Sequence, residues 1–228
     1  MRKMELNFEN LHVADILQQI AAKFPTSAAF STSLSKEDQV ITHYIFANNL
    51  PIRVFTLDTG RLFPETYSVL TSTRERYGKN IEVYFPKHES VEKLITEKGP
   101  SSFYNSLGDR KECCFIRKVE PLNRALEGVD CWITGLRAEH SENRKAMPMV
   151  EKDEARNILK VHPLTKWTTK EVKEEIKKHN IPYNSLHDRG FVSIGCQPCT
   201  RAIKEGDDFR AGRWWWENTD KKECGLHS

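Results

Sequence analysis

Hydrophobic residues in the first two-thirds of the chain follow two alternating patterns. Short runs rich in β-branched and aromatic residues predict buried strands, and stretches with apolar residues at a helical period predict helices between them. The predicted strands are 28–33, 52–58, 81–86, 131–136 and 157–164. The predicted helices are 37–48, 63–78, 90–97, 114–127 and 170–180, the last capped by Thr168 or Thr169.

Strands that are separated by helices predict an α/β fold, with a mostly parallel sheet covered by helices on both faces. Such sheets bind ligands beyond the carboxyl ends of their strands, where the strand order reverses. Three loops follow predicted strands: "STSLSKED" at 31–38, "LDTGRLF" at 57–63 and "TGLRAEHSENR" at 134–144. We therefore expect the ligand-binding residues in these loops.

The periodic pattern fades near residue 184, where a long irregular stretch begins. We expect residues 1–195 to form one α/β domain that binds the ligand, with a helical segment in residues 1–25. Residues 196–228 are expected to form an irregular C-terminal tail rather than an independent domain.

The composition changes this picture little. Charged residues make up 29% of the 228 positions, hydrophobic residues 38%, and the net charge is +3, which is typical of a soluble globular protein. A charge this small does not favour nucleic acid as a partner. No apolar run is long enough for a membrane span, and no signal-peptide core is visible, so a cytoplasmic location is expected. Homo-oligomers remain compatible with the sequence.

The cysteines point to chemistry. Cys113 and Cys114 are adjacent, and adjacent cysteines form only a strained disulfide. Cys196 and Cys199 have the C-x-x-C spacing that lets two thiolates reach one metal or cluster from a single turn. Four thiols in a reducing compartment favour a metal site over a disulfide framework. A C–C dipeptide fits the tetrahedron of zinc poorly, so the spacing favours a [4Fe-4S] cluster over zinc, with four unrelated buried thiols as a third reading.

Several motifs together resemble the assimilatory sulfonucleotide reductases, in the branch that carries an iron–sulfur cluster. This branch comprises adenylyl-sulfate reductases, which are related to phosphoadenylyl-sulfate reductases. The resemblance extends from about residue 28 to the C-terminus. The motifs are C-C-x-x-R-K-x-x-P-L at 113–122, G-C-x-P-C-T-R at 195–201, E-C-G-L-H at 223–227, "LDTGRLFPETY", "HPLTKWTTKEV" and "IPYNSLHDRGF".

The resemblance implies roles for individual residues. It implies that a [4Fe-4S] cluster is held by Cys113, Cys114, Cys196 and Cys199, and that Cys224 is the catalytic nucleophile. The phosphosulfate group would be bound by basic residues in the matching motifs, namely Lys118, Arg144, Arg210 and Arg213. The cluster-free branch lacks the four ligand cysteines, so adenylyl sulfate is the expected substrate. Cys131, in the apolar run "VDCWITG", reads as a core residue.

The loop "STSLSKED" resembles the degenerate PP-loop of ATP pyrophosphatases and sulfonucleotide reductases. Backbone N–H groups and hydroxyls at a strand-to-helix turn form an anion-binding site. This chain lacks the glycine that the family often has near Leu34 or Ser35, and it lacks a histidine that some members carry before Cys113. The other expected substrate contacts are Ser31, Ser33, Ser35, Glu37, Asp38, Leu57, Asp58, Thr59, Gly60, Gly135, Arg137 and His227.

The implied reaction is reduction of adenylyl sulfate to sulfite and AMP through a cysteine S-sulfonate, with thioredoxin or a glutaredoxin-like protein as the reductant. Phosphoadenylyl sulfate, alone or as a second substrate, is the alternative. Two more distant alternatives are a PP-loop ATP pyrophosphatase or thiolation enzyme and a zinc-stabilised binding module. "SLSKED" departs from the S-G-G-x-D-S pattern expected of the first.

Overall fold

The computed structural model describes residues 8, 10–140, 146–204 and 206–217. The predicted strands are present with shorter bounds, and one strand, β5, was not predicted. The strands are β1 Ala28–Thr32, β2 Arg53–Leu57, β3 Glu82–Tyr84, β4 Cys131–Ile133, β5 Val150–Asp153 and β6 Ile158–Val161. The helices are α1 Val13–Lys23, α2 Lys36–Ala47, α3 Pro64–Tyr77, α4 His88–Lys98, α5 Leu107–Cys114, α6 Glu120–Ala125 and α7 Thr169–His179.

The strands form one sheet in the order β3-β2-β1-β4-β6-β5. The pairs β1–β4, β2–β3 and β4–β6 are parallel, and β5 pairs antiparallel with β6 at the edge. The predicted mostly parallel α/β sheet is therefore confirmed. The strand order reverses between β1 and β4, and the loops that follow these two strands contain residues 33–35 and 134–137. A ligand site is expected at such a reversal.

The chain forms two compact units that alternate along the sequence. The first unit comprises Met1–Val54, Ser72–Ile81 and Gly128–Tyr183, and the second comprises Phe55–Thr71, Glu82–Glu127 and Asn184–Ser228. The described part of the expected tail, residues 196–204 and 206–217, thus belongs to the same unit as two earlier segments of the chain. Among the described residues, no helix is long and apolar enough to cross a membrane.

The core of the first unit is built around β1, β4 and α2. Phe30, Trp132 and Ile133 on the two strands are at most 1% exposed. Every residue of α2 from Glu37 to Phe46 is buried, so this helix is covered on all sides. The amphipathic helix α7 follows the prediction closely, because a capping box at its start and a left-handed residue at its end set its limits.

In the second unit, one continuous helical stretch runs from Leu107 to Ala125. Its middle, Phe115–Val119, is a π-helical turn. Pro121 explains the wider turn, because proline has no N–H and its ring crowds the carbonyl four residues earlier. Such π-turns are frequent at functional sites. The predicted start at residue 114 was wrong: Ser106 caps α5, and its hydroxyl accepts a hydrogen bond from Asp109 N. The polar stretch at 106–112 hides this start from a periodicity analysis.

Candidate functional site

The four cysteines that were predicted as ligands line one pocket in the second unit. Cys113 and Cys114 end α5, Cys196 immediately precedes the 3-10 turn Gln197–Cys199, and Cys199 ends that turn. Residues about eighty positions apart in the sequence are thus brought together by the fold. The remaining lining residues are Arg61, Phe103, Arg110, Arg117, Lys118, Pro198 and Trp214.

The C-x-x-C turn is held by its own backbone and by neighbouring side chains. Cys199 N donates to Cys196 O (2.9 Å), and the Thr200 hydroxyl donates to the same oxygen (2.9 Å). Both cysteines are 8% exposed. A methyl group at Gly195 would come under 3.0 Å from the guanidinium of Arg213, so this position must be glycine for the arginine to lie against the turn.

The pocket is rich in positive charge, and the charge acts on the thiols unequally. Burial raises the pKa of Cys196, but Lys118, the hydroxyl of Thr59 and nearby guanidinium groups outweigh burial, so the pKa lies below that of an ordinary thiol. Burial raises the pKa of Cys199 to about 12, helped by the neighbouring Cys196. Burial also raises the pKa of Cys113. Cys196 is therefore more easily ionised than Cys113 and Cys199.

The pocket offers four thiols as possible ligands. Within the described ranges, no group of three or more His, Cys, Asp or Glu side chains is placed to hold one metal ion. Four thiols are the ligand type that a [4Fe-4S] cube takes, with each thiolate binding a different iron. Such a cluster with four thiolates carries net negative charge, which the surrounding cations would balance. Within the same described part, the buried Arg117 Nε and Trp214 Nε1 have no hydrogen-bond partner, and both residues line this pocket.

The loop after β2 reaches the same pocket. The Cys196 thiol donates to Thr59 Oγ1 (3.3 Å), and Arg117 Nη1 donates to Thr59 O (2.7 Å). Asp58 is buried and accepts hydrogen bonds from Gly60 N (2.8 Å) and from the hydroxyl of Tyr67 (3.0 Å). Burial and this carboxylate raise the pKa of Tyr67 to about 12. The Asp58 side chain therefore holds the turn from inside, Thr59 is buried beside it, and Gly60 is exposed.

The loop after β1, in the first unit, is closed by the side chain of Asp38. Its Oδ2 accepts hydrogen bonds from Ser33 N and Ser33 Oγ, both at 2.6 Å. Leu34 has a φ of +61°, the left-handed conformation that glycine adopts most easily. In the region where the family often has a glycine, this chain has Leu34. Its side chain is buried, and this burial offsets the cost of the left-handed backbone. Ser35 caps α2, and Ser31 accepts a hydrogen bond from the indole of Trp132 (2.8 Å).

Asp38 meets the loop after β4 at Gly135. A methyl group at Gly135 would come under 3.0 Å from Oδ1 of Asp38 and within 3.1 Å of its Cγ. Burial raises the pKa of Asp38 to about 6, although the bonds from Ser33 oppose this rise. Glycine at 135 and aspartate at 38 therefore depend on each other, at the point where the strand order reverses.

Arg137 was predicted to contact substrate, but the chain itself occupies its guanidinium. Arg137 is 1% exposed, and its Nη2 pairs with Glu37 Oε1 at 2.9 Å. Its other N–H groups donate to Glu37, Glu139, Trp167 O and Thr169 Oγ1. All five donors of the group are used in this way. For Arg137 and Glu37 the structure therefore favours a positioning role over direct substrate contact.

The remaining predicted residues divide into two groups. Arg213 is buried, and its Nε donates to Cys199 O (3.3 Å), while Arg210 lies with its guanidinium carbon 5.5 Å from the centre of the Trp214 ring. Arg144, Cys224 and His227 lie outside the described residues.

Sequence reasoning missed Arg61, Arg110 and Arg117 in the pocket. A helical-spacing signal was available for the last two, because Arg110 precedes Cys113 by three residues and Arg117 follows it by four. No such signal exists for Arg61, which lies in a loop. Cys131 was predicted as a core residue, and it is completely buried in β4. Burial raises its pKa to about 12.

Comparison with known proteins agrees with the fold. The model of the phosphoadenosine phosphosulfate reductase domain matches residues 27–202. The chain belongs to this family. The family resemblance predicted from the motifs is thus confirmed.

Two relatives of about half-identical sequence carry the same enzyme name. The chain is 51% identical over 198 residues to the adenosine 5'-phosphosulfate reductase of Burkholderia cepacia, covering 87% of this chain and 79% of the relative. It is 48% identical over 213 residues to the enzyme of the same name from Allochromatium vinosum, covering 93% and 83%.

Solved structures give the same fold. The phosphoadenylyl-sulfate reductase of Candida auris superposes with a TM-score of 0.73 at 29% identity, covering 85% of this chain and 91% of that one. An FMN adenylyltransferase of Candida glabrata, at 15% identity and a TM-score of 0.53 over 99% of this chain and 79% of its own, shows the fold alone.

Proposed function

We propose that this protein reduces adenylyl sulfate to sulfite and AMP. The observation that carries the proposal is the cationic pocket in which Cys113, Cys114, Cys196 and Cys199 meet, within a chain of the phosphoadenosine phosphosulfate reductase family. The relatives of about half-identical sequence are named for adenosine 5'-phosphosulfate, whereas the named phosphoadenylyl-sulfate reductase is 29% identical. This difference favours adenylyl sulfate over phosphoadenylyl sulfate as the substrate.

The nucleophile of the proposed reaction is Cys224. Its thiolate attacks the sulfur of adenylyl sulfate, the bond from sulfur to the phosphate oxygen breaks, and AMP leaves with the electron pair. The enzyme then carries a cysteine S-sulfonate. A dithiol reductant attacks the sulfur atom of Cys224 and releases sulfite with the electron pair of the S–S bond. The second thiol of the reductant resolves the mixed disulfide, so its two thiols supply both electrons.

Fixed cations lower the barrier to this attack, because the transferred group is anionic in the ground state and in the transition state. We assign the oxyanion contacts to Lys118, Arg144, Arg210 and Arg213. Arginine suits such oxyanions through paired N–H groups. His227, three residues after Cys224 in the sequence, is proposed to contact the same group.

The adenosine and phosphate would be bound by the loops after β1, β2 and β4. Backbone N–H groups and hydroxyls at the start of α2 suit a phosphate oxygen. Ser35 is proposed to contact it, and Ser33, whose N–H and hydroxyl donate to Asp38, shapes the loop around it. Leu57, Thr59, Gly60 and Gly135 are assigned to the nucleoside. Ser31, Glu37, Asp38, Asp58 and Arg137 hold these loops through the hydrogen bonds described above.

The proposed cofactor is a [4Fe-4S] cluster held by Cys113, Cys114, Cys196 and Cys199. When bound, it would supply a rigid charged centre beside the basic residues, and the thiol steps balance without an electron from iron. Single Cys→Ser changes at the four positions should each remove visible absorbance and iron from anaerobically purified protein. Cys131→Ser is the matched control and should keep both. Zinc in the wild-type protein, or iron retained by all four variants, would contradict this assignment.

The reductant is proposed to be thioredoxin or a glutaredoxin-like protein, acting in the cytoplasm, where dithiols are kept reduced. Assaying sulfite release with each purified reductant, on adenylyl sulfate and on phosphoadenylyl sulfate, separates the candidates. Turnover of phosphoadenylyl sulfate at an equal or higher kcat/KM would reassign the substrate.

The nucleophile is tested by mass spectrometry. Wild-type protein mixed with adenylyl sulfate and no reductant should gain one sulfonate group, on the peptide that contains Cys224, and a dithiol should reverse the gain. Cys224→Ser should bind adenylyl sulfate with the wild-type affinity and release no sulfite. Normal turnover by this variant, or an adduct on another cysteine, would remove Cys224 from the mechanism.

A further inference from the structure

The tryptophan segment, residues 212–217, is anchored on the C-x-x-C turn. Trp214 is 1% exposed and packs in one cluster with Cys196 and Cys199. A β-bridge pairs Thr200 with Arg213, and the segment continues to Glu217, the last described residue. The tryptophan segment therefore packs directly against the cysteine turn.

Arg110 provides a second anchor, from the helix α5. It is 4% exposed, and its Nε donates to Glu217 Oε1 at 2.5 Å. Its guanidinium carbon also lies 4.4 Å from the centre of the Trp214 ring. Because Glu217 N donates to Trp214 O (2.9 Å), the ring and the carboxylate are presented together to one arginine. Arg110 lies three and four residues before Cys113 and Cys114, on the same face of α5.

A buried ion pair is an inefficient way to gain stability. Removing two charges from water costs several kcal/mol per ion, and well-packed apolar residues often serve as well. A guanidinium–carboxylate pair does supply direction, because the N–H group must point at the oxygen. The Glu217 side chain is only 7% exposed. The pair therefore fixes the place and direction in which the chain leaves the tryptophan segment.

We propose that Arg110, acting through Trp214 and Glu217, is a positioning residue that fixes the origin of the C-terminal tail on the helix of Cys113 and Cys114. The inference rests on the proposed function, in which Cys224 is the nucleophile. Cys224 follows Glu217 by seven residues (224 − 217), and seven residues span at most about 25 Å. The anchor thus limits the volume that the thiolate can reach.

Glu217→Gln in the full-length, cluster-loaded protein tests the proposal, because it removes the charge with little change in shape. The rate of S-sulfonate formation is measured in a single turnover without reductant, beside AMP affinity, iron content and visible absorbance. We expect the last three to stay at wild-type values. The rate of S-sulfonate formation should fall about twofold if Trp214 becomes the last anchored residue and the free chain before Cys224 is merely longer. It should fall up to about 100-fold if the direction of attack is lost.

Glu112→Gln is the matched control on the same helix. It breaks the exposed pair between Lys98 and Glu112 (2.7 Å), whose carboxylate side chain is 42% exposed, and it should leave the rate unchanged. The double variant Arg110→Met/Glu217→Leu leaves no charge buried alone. Its rate of S-sulfonate formation should be as low as that of Glu217→Gln. If Glu217→Gln does not fold, the double variant tests the proposal in its place.

Wild-type rates in Glu217→Gln and in the double variant would overturn the proposal. Iron loss in proportion to the lost rate would also overturn it, because the pair would then serve the cysteine pocket instead of the tail. A wild-type protein that forms no adduct on Cys224 would refute the proposed function itself, and that result is separate from both of these outcomes.

Discussion

Replacing Gly135 with alanine should disrupt the loop after β1, although the residue lies a hundred positions away in the sequence. The new methyl group would come under 3.0 Å from Oδ1 of Asp38 and within 3.1 Å of its Cγ. Asp38 is 5% exposed and has little room to move. Its carboxylate would have to leave Ser33 N and Ser33 Oγ, which it now contacts at 2.6 Å.

The size of the effect follows from these two hydrogen bonds. Each involves a charged acceptor and is worth ~1.5–3 kcal/mol, with an added penalty if the buried carboxylate finds no new donor. Partial relaxation of the loop recovers some of this energy. We therefore expect Gly135→Ala to lower the free energy of unfolding by about 2–5 kcal/mol, at the upper end of single substitutions.

Urea denaturation followed by circular dichroism measures this loss. Gly108→Ala is the matched control, because its new methyl group would meet only Ser106 Oγ, at 3.6 Å. Gly108 lies in α5, where alanine should be neutral or stabilise by up to about 1 kcal/mol. In an Asp38→Ala background, Gly135→Ala should cost far less than in the wild type. An unfolding free energy within about 0.5 kcal/mol of wild type for Gly135→Ala alone would refute the reasoning.

Two further predictions concern charge. The pKa of Asp38 is raised from 3.8 to about 6, so the folded protein favours the protonated form. Asp38 therefore contributes to the free energy of unfolding below pH 3.8, its pKa in the unfolded chain. This contribution is lost as the pH rises through about 6, its pKa in the folded protein. The unfolding free energy of the wild type, relative to Asp38→Asn, should thus fall by about 2 kcal/mol between pH 4 and pH 6, and a flat difference in urea melts across this range would contradict it. Arg213→Ala should weaken adenylyl sulfate binding by ~1.5–3 kcal/mol and AMP binding less; calorimetric titrations that show equal losses for both ligands would exclude a sulfate contact.

Local patterns were enough to predict the fold class, which the structure confirms, and to single out four cysteines as candidate ligands. β1 and β4 are buried on both faces, so their apolar runs stand out in the sequence, and α7 carries its cap and its apolar stripe within twelve residues, Thr168 to His179. The C–C and C-x-x-C spacings are equally local, because adjacent positions restrict what two thiols can bind. The family motifs then predicted that the two cysteine pairs share one site.

The antiparallel edge strand β5 was decided by tertiary contacts. None of its four residues, Val150 to Asp153, is buried: three are half-buried and one is exposed. It is a strand because β6 supplies hydrogen-bond partners along its whole length. A segment whose strand state depends on its neighbour carries no period-2 apolar pattern of its own.

The charges around the cysteines were also decided by the fold. Arg110 and Arg117 flank Cys113 at helical spacing, but only the fold places them beside Cys196, Cys199 and the loop residue Arg61 in one pocket. Arg137, predicted from its loop as a substrate contact, likewise has a partner that the sequence did not reveal: its guanidinium donates to Glu37, a hundred residues away. A sequence records which groups carry charge, but the distance between charges, which sets their energy, exists only after folding.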